Sequence, residues 1–150
     1  MKQLLFTLIF FTGLLAMSGE LWDTVKLAKG STLQKANGET VLCVDLPEKD
    51  GLASSQSSIK IDLTPYYGKV LVFSCEYRGE NIKKAPPRFV GAKFMFYYVA
   101  NGKSFYPEHM PQRDGTFDWL ASSFAVEVPE GAEKGEISLG LQESTGKAEF

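Results

Sequence analysis

The sequence predicts an all-β domain, an antiparallel sandwich of the jelly-roll type with a galactose-binding-like arrangement. Short runs of alternating or β-branched apolar residues follow one another after residue 38. Turn-forming pairs such as Asn37-Gly38, Asn101-Gly102 and Asp114-Gly115 separate these runs. No stretch after the first 18 residues sustains a long 3.6-residue apolar period. Spacing of this kind is typical of sandwiches and jelly rolls.

Residues 1–18 predict a signal peptide. Lys2 gives a positive start, Leu4 to Leu15 form an apolar run, and Ala16-Met17-Ser18 fits the small-x-small cleavage pattern. Because the run is shorter than the roughly 20 residues that span a bilayer, cleavage is favoured over an uncleaved membrane anchor. We therefore expect a secreted or periplasmic protein, with no membrane attachment after cleavage and one domain over residues 19–150.

The charge balance disfavours polyanionic partners. The whole chain has a formal net charge of −2, and removal of Lys2 with the signal peptide makes it about −3. Nucleic-acid binding normally requires an excess of Lys and Arg on one face. We expect no nucleic-acid partner.

Two cysteines remain after cleavage, Cys43 and Cys75. An oxidising compartment permits a disulfide between them. Each also lies inside an apolar strand pattern, where a free thiol packs as a small hydrophobic group. The sequence therefore allows either a disulfide between these two cysteines or two buried free thiols.

Helical structure is credible only around Trp22 to Lys29, which could equally be extended. Strands are expected from the apolar runs between turns, and the Pro129 to Gly131 turn separates the last two. The six expected strands are Thr40–Leu46, Ser58–Asp62, Lys69–Tyr77, Ala92–Val99, Trp119–Val128 and Glu136–Gln142.

Alternation within each strand predicts which side chains face the core, because successive side chains point to opposite faces. The bulkier sets should face inward. They are Leu71, Phe73, Cys75 and Tyr77; Phe94, Phe96 and Tyr98; Phe124, Val126 and Val128; and Ile137, Leu139 and Leu141. The other sets, which include Lys93, Met95, Tyr97, Trp119 and Gln142, should then face outward.

The outward set mixes aromatic rings with polar groups, which is the mixture that a sugar requires. A sugar has apolar C–H faces and a rim of hydroxyls, and rigid aromatic rings offer contact area at low entropic cost. We predict a cleft floor formed by Tyr97, Trp119, Glu76, Arg78, Lys93 and Gln142. Alternatively, Trp119 covers a sheet edge and Tyr97 packs under a loop.

The connection from Asn101 to Thr116 is long, and long loops on rigid sandwiches often carry binding residues. Phe105 and Tyr106 would form one wall of the cleft. A hydrophobic flap that closes one end of the sandwich is the alternative.

Independent catalysis is not expected. The single histidine, His109, lacks a recognisable catalytic partner, and the acidic residues Glu108, Asp114 and Asp118 fall in turn positions. No nucleophile elbow, phosphate loop or metal-spaced histidine cluster is present. No cofactor is required, and a structural calcium ion with Asp45 or Glu20 as a ligand is the one metal considered.

Several segments in a distinctive order resemble the family 4/9 carbohydrate-binding modules found ahead of family 5 glycoside hydrolase domains, which are cellulase-like. They are IDLTPYYGKVLVFSCEYRGENI (61–82), GAKFMFYYV (91–99), GTFDW (115–119), VPEGA (128–132) and LGLQESTGKAEF (139–150). The resemblance implies a jelly roll that binds polysaccharide, often with a structural calcium ion. It extends to Tyr97, Trp119 and Gln142 only as positions in matching strands.

One departure concerns the end of the chain. Relatives commonly continue with Trp-Phe-Asp into another strand after the Ser-Thr-Gly turn, whereas this chain has Glu149-Phe150. The last strand is therefore expected to be incomplete. A catalytic domain that follows Phe150, or completion of the sheet by another chain, would account for this.

The leading hypothesis is a non-catalytic module that targets an attached glycoside hydrolase to β-glucan, or to a related polysaccharide such as xylan or mannan. The second hypothesis is a structural or protein-interaction sandwich that binds no glycan, since a fold does not determine a function.

Overall fold

The computed structural model describes residues 7–10, 13–16, 21–36, 38–107 and 113–150, the first two ranges by their backbone alone. Within these ranges the chain forms β-strands and three single 3-10 turns, at Trp22–Thr24, Glu48–Asp50 and Thr64–Tyr66. The strands are β1 (Thr7–Phe10), β2 (Gly13–Ala16), β3 (Ser31–Ala36), β4 (Glu39–Leu46), β5 (Ala53–Ile61), β6 (Val70–Lys84), β7 (Gly91–Ala100), β8 (Lys103–Phe105), β9 (Gly115–Glu127) and β10 (Ala132–Glu149).

Strands β1 and β2 pair with each other and belong to a separate two-stranded sheet. Both lie in the predicted signal peptide, whose remaining residues, 1–6, 11–12 and 17–18, lie outside the described residues. The signal peptide and the secreted location stay predictions. The described ranges contain no helix with the length and apolar character needed to cross a membrane.

Strands β3 to β10 form one hydrogen-bonded sheet that folds into two layers, and β10 belongs to both. Its first part, up to Gln142, lies between β5 and β7, and β8 adds to β7; we call this layer A. Its second part, from Ser144, lies between β4 and β6, with β3 and β9 at the edges; we call this layer B. All pairings are antiparallel, as the sequence predicted.

The transfer of β10 between layers occurs at Glu143. This residue has a positive φ of 43°, and the register against β5 shifts between Leu141 and Ser144. The Glu143 amide donates to Ser54 Oγ at 2.9 Å, and its carbonyl accepts from the Ala85 amide at 2.9 Å. Strands that change layers commonly do so at such a bulge. The backbone groups that leave the ladder are thus still hydrogen-bonded.

The core lies between the two layers, and aromatic rings cross it. Phe73 of β6 stacks on Phe96 of β7 with centroids 4.5 Å apart, and Phe94 of β7 lies 4.9 Å from Phe124 of β9. The inward-facing residues predicted from alternation are buried, apart from Tyr98, which is partly buried against the core. The prediction of inward-facing residues from alternation is confirmed for all four strands.

The predicted Ser-Thr-Gly turn is wrong, whereas the missing strand expected after Phe150 stays a prediction. Ser144, Thr145 and Gly146 continue β10, which is paired on both sides as far as Glu149. Phe150 is fully buried, and its amide and carbonyl exchange 3.0 Å hydrogen bonds with Leu42. The small polar residues suit a turn locally, but pairing with two neighbouring strands outweighs that preference. The catalytic domain expected after Phe150 stays a prediction.

The observed strand boundaries differ from the predicted ones in a consistent direction. Observed strands β5, β6, β9 and β10 extend beyond the predicted ranges, and β3 and β8 had no predicted counterpart. The added segments are polar or lie at edges, so they lack the apolar alternation on which the prediction relied. The Trp22 to Lys29 segment is a single 3-10 turn followed by an isolated bridge from Lys26 to Ser58.

Cys43 and Cys75 do not form the disulfide that the sequence left open. Both are free and buried. Cys75 faces the core, whereas Cys43 alternates with the core residues Leu42 and Val44 and therefore faces the outside of layer B. Because the two thiols lie on opposite faces of the same layer, their strands cannot bring them together. Burial raises the pKa of both thiols, which favours the unreactive protonated form.

Candidate functional site

The residues predicted to form one cleft lie on two opposite outer faces. Tyr97, Lys93 and Gln142 are on the outside of layer A, and Trp119, Arg78 and Glu76 are on the outside of layer B. The prediction of a single floor is therefore wrong. Alternation gives the direction of a side chain within its strand, but the layer to which each strand belongs depends on where β10 changes layers.

Neither Tyr97 nor Trp119 is buried between the layers; each is half-buried on an outer face. Phe105 and Tyr106, predicted as a wall, follow the β7–β8 hairpin and are both exposed. Tyr106 stacks on Tyr97 with centroids 5.8 Å apart, and Phe105 stacks on Tyr98 at 5.2 Å. Only Tyr106 therefore borders the outer face of layer A, whereas Phe105 lies in register with the inward-facing Tyr98, so the two residues do not form one wall.

The outside of layer A, which we call the Tyr97 face, is defined by Lys93, Tyr97, Ser138, Gly140 and Gln142. The outward positions of the central strand β10 are small here, since Ser138 and Gly140 lie between Tyr97 and Gln142 along the same side. Met95 of β7 lies opposite Ser138 and is half-buried on the same face. The Tyr97–Tyr106 ring pair lies at one end of this row of residues.

Lys93 lies on this face opposite Gly140 of β10 and donates a hydrogen bond to Gln142 Oε1. Only 5% of Lys93 is exposed, although it is on an outward-facing position. Burial lowers the pKa of the Lys93 ammonium, and the nearby charge of Glu143 partly opposes this change. The ammonium and the amide therefore form a fixed polar pair on the outer surface of layer A.

The outside of layer B contains an open cleft of about 490 Å³, which we call the Arg78 cleft. It forms where the paired strands β6 and β9 lose their regular register, on either side of Gly79. Its lining residues are Arg78, Gly79, Glu80, Asn81, Thr116, Phe117, Asp118, Lys147 and Glu149.

Two residues with positive φ shape this cleft, Asn81 at 51° and Gly146 at 104°. The Asn81 amide donates to Thr116 Oγ1 at 3.0 Å, which holds the bulged part of β6 against β9. A Cβ on Gly146 would lie 2.6 Å from the Asn81 carbonyl oxygen, so only glycine allows β10 to approach so closely.

Charged side chains at one side of the cleft are fixed by one another. Arg78 donates to Glu149 Oε2, with Nε at 2.6 Å and Nη2 at 2.5 Å, and Lys147 Nζ lies 2.8 Å from Oε1. Burial alone would raise the pKa of Glu149, but the hydrogen bonds and charges of Lys147 and Arg78 outweigh it and lower the pKa. The hydrogen bond to Glu149 raises the pKa of Lys147.

Trp119 adds an aromatic ring to this group. The Arg78 guanidinium lies 5.2 Å from the centre of the Trp119 ring, within the range of a cation–π contact. Asp118 accepts a 2.8 Å hydrogen bond from the Trp119 amide. Arg78 is therefore positioned both by a carboxylate and by a ring.

This arrangement predicts a pH-dependent contribution of Glu149 to stability. The Glu149 pKa is below the ordinary 4.5, so its ion pairs stabilise the fold above that pH and lose this effect as pH falls. We expect Glu149→Gln to lower the free energy of unfolding by about 1 kcal/mol at pH 7, and the difference from wild type to be smaller at pH 3.

Urea denaturation at both pH values measures this difference. Glu48→Gln is the matched control, because Glu48 pairs with Lys83 at 2.5 Å but both side chains are largely exposed. We expect no measurable change from the control. An effect of Glu149→Gln that is independent of pH would contradict the assignment.

Other sequence candidates have no role that the structure defines. His109 and Glu108 lie outside the described residues, as does Glu20. Asp114 is exposed at the start of β9, and Asp45 is exposed in register with Lys147. Among described side chains, no three of His, Cys, Asp and Glu converge as metal ligands. A structural calcium ion stays a prediction.

The sequence analysis did not include Lys147 and Glu149 in the site. The sequence nevertheless indicates that Lys147 and Glu149 face outward, because they alternate with Ala148 and Phe150, which are buried. The expectation of a turn at Ser144 to Gly146 concealed this alternation.

Two solved structures share this fold. The C-terminal family 22 carbohydrate-binding module of Clostridium thermocellum Xyn10B is 13% identical, with a TM-score of 0.52, over 84% of this chain and 80% of that one. The CBM22-1–GH10 modules of the same Xyn10B, complexed with xylohexaose, are 14% identical with a TM-score of 0.56, over 100% of this chain and 27% of that one. This chain thus spans about a quarter of the second structure. No protein-family model and no curated protein matches the sequence significantly. The likeness confirms the predicted sandwich, which is the fold of the carbohydrate-binding modules in these two structures.

Proposed function

We propose that this chain is a non-catalytic carbohydrate-binding domain that binds a β-glucan-type polysaccharide on the Tyr97 face. The observation that carries this proposal is the fixed Lys93–Gln142 pair, which lies on the same outer face as the stacked Tyr97–Tyr106 rings. Fixed polar groups beside exposed rings are suited to a ligand with hydroxyl edges and apolar faces.

Each part of the face contributes a different interaction. The rings of Tyr97 and Tyr106 pack against the C–H face of a sugar. Lys93 donates to sugar hydroxyls, and the Gln142 amide both donates and accepts. The small side chains of Ser138 and Gly140 allow the polysaccharide to approach the sheet closely. Because Lys93 and Gln142 already fix each other, little side-chain entropy is lost on binding.

The structural neighbours support this class of ligand. One was studied for the role of its cleft residues in ligand binding, and the other was crystallised with xylohexaose next to a GH10 module. By analogy, we propose that this domain keeps a catalytic glycoside hydrolase domain close to its substrate in a secreted or periplasmic enzyme. The gain would come from effective concentration. Xylan and mannan are the other polysaccharides to compare with β-glucan.

The expected result is that Tyr97→Ala weakens binding of the domain to β-glucan about tenfold or more, because the ring provides much of the apolar contact. Affinity electrophoresis in gels containing β-glucan, xylan or mannan measures the loss. Tyr97→Phe retains the ring and should retain most of the affinity. Thermal unfolding of each variant confirms that the fold is unchanged.

A structural or protein-interaction role remains the second candidate, and the exposed apolar side chains around β7 and β8 favour it. Phe89, Phe105 and Tyr106 are 53%, 42% and 62% exposed. Exposed rings of this kind also occur at protein interfaces. If the wild-type domain is not retarded in any of the three gels, the proposal of glycan binding is wrong and this role is favoured.

A further inference from the structure

The Arg78 cleft lies on the side of the sandwich opposite the Tyr97 face, so no single ligand that lies along one face can contact both. We propose that this cleft is a second, independent site for a neutral sugar, and that the domain can therefore hold two polysaccharide chains. The class of ligand rests on the proposed function, whereas the existence of the second site rests on the geometry of layer B.

The cleft is large enough and its walls are fixed. Its volume of about 490 Å³ falls within the range of small-molecule sites. The backbone of β6 at Asn81 is held to Thr116 of β9, and Gly146 holds β10 against the same segment. Phe117 packs edge-on to the buried Tyr77 at 5.4 Å, so the wall is continuous with the core. Little of the site has to be ordered when a ligand binds.

The hydrogen-bonding groups in the cleft are oriented before a ligand arrives. A guanidinium has five N–H groups, and Glu149 accepts from two nitrogens of Arg78, so further N–H groups of this fixed cation are left for a ligand. Lys147 is held in the same way from the other side of Glu149. The exposed carboxylates of Glu80 and Asp118 provide acceptors. Donors and acceptors therefore both line the cleft.

The charge of the lining favours a neutral ligand. Two cations, Arg78 and Lys147, stand against three carboxylates, those of Glu80, Asp118 and Glu149. Such a balance provides little attraction for a polyanion or a polycation, since their binding depends on an excess of opposite charge. A sugar has hydroxyls that both donate and accept, and the Phe117 ring in the cleft wall offers an apolar surface for its C–H face. The Trp119 ring contacts Arg78 and helps to position it.

Two sites on opposite faces would allow the domain to bind two polysaccharide chains at once. The layers of a sandwich are about 10 Å apart, so each face is accessible when the other is occupied. A domain of this kind would join two polysaccharide chains and would bind a polysaccharide surface more tightly than either site alone. With a soluble polymer, it would form cross-linked networks.

Isothermal titration calorimetry with cellohexaose, and with xylohexaose as a second probe, tests the proposal on residues 19–150. We expect two molecules of oligosaccharide per domain. Trp119→Ala and Glu80→Ala should each weaken one site about tenfold and leave the other unchanged, whereas Tyr97→Ala should weaken only the other site. Glu80 is exposed, so the second variant tests the cleft if Trp119→Ala lowers stability.

Light scattering provides a separate measurement. The wild-type domain should make a solution of soluble β-glucan turbid, and any variant with one weakened site should not. One oligosaccharide per domain, lost in Tyr97→Ala and unaffected by both cleft variants, would overturn the second site and leave the proposed function standing. One oligosaccharide per domain that only the cleft variants lose would support the cleft and overturn binding at the Tyr97 face. No binding of either probe would overturn both.

Discussion

Replacing Gly140 with alanine is expected to lower the free energy of unfolding by about 3 kcal/mol or more, enough to unfold many domains of this size. Gly140 has a φ of +149°, which side chains rarely adopt, and an added Cβ would overlap the carbonyl oxygen of Ser55 and lie 3.0 Å from Gln56 Cα. These atoms belong to the backbone of β5, which is paired with β10 along this stretch, so they cannot move aside. Urea denaturation measures the loss.

Gly102→Ala is the matched control. Gly102 also has a positive φ, of +70°, but nothing lies within 4 Å of its Cβ position. Its substitution should cost about 1–2 kcal/mol, the cost of the backbone conformation alone. The difference between the two variants therefore measures the close approach of β10 to β5. If both variants lose the same free energy of unfolding, the close contact between β10 and β5 at Gly140 does not stabilise the fold.

Gly140 also connects stability with the Tyr97 face. It lies opposite Lys93 on β7 and Gln56 on β5. Its Cβ position is directed at the backbone of β5, and the residue lies beside the Lys93–Gln142 pair. The same residue thus allows β5 and β10 to pack closely next to the residues that we assign to the ligand.

Alternation along strands was sufficient to predict the core. Phe73, Phe96 and Leu139 each lie on the inward side because bulky residues recur there at every second position. This signal is local, and it requires no knowledge of which strands pair. It also correctly placed Tyr97 and Trp119 on outward-facing positions.

The position of the site could not be predicted in the same way. Tyr97 and Trp119 occupy similar outward positions in their strands, yet they lie on opposite sides of the molecule because β7 and β9 belong to different layers. The layers are determined by the bulge at Glu143, a residue with positive φ at a position that is not glycine. Its conformation depends on hydrogen bonds to Ser54 and Ala85, which are distant in the sequence. No local pattern indicates such a partner.

The long strand β10 explains why the two faces can be rigid at the same time. Lys93 and Gln142 depend on its first part, and Arg78, Lys147 and Glu149 depend on its second part. A strand paired on both sides cannot shift without breaking two ladders. The Tyr97 face and the Arg78 cleft are therefore both fixed by one central element.

Phe150→Ala should lower the free energy of unfolding by about 3–5 kcal/mol, as large-to-small substitutions in a core do. Phe150 is fully buried, although it is the last residue of the printed sequence. Its ring is nearly parallel to that of Tyr77, at 13° and 6.2 Å between centroids. The substitution leaves a cavity on the core side of layer B, and the paired strands around it cannot move to fill it. Thermal and urea denaturation measure the loss.

Phe105→Ala provides the comparison, because Phe105 also stacks on a tyrosine, Tyr98 at 5.2 Å, but is 42% exposed. We expect its loss to be below about 1.5 kcal/mol, since a ring pair contributes that much at most beyond the area it buries. If the two variants lose similar stability, Phe150 does not anchor β10 in the core. If Phe150→Ala is the more damaging variant, the buried ring anchors the end of β10, the strand that also carries Glu149 of the Arg78 cleft.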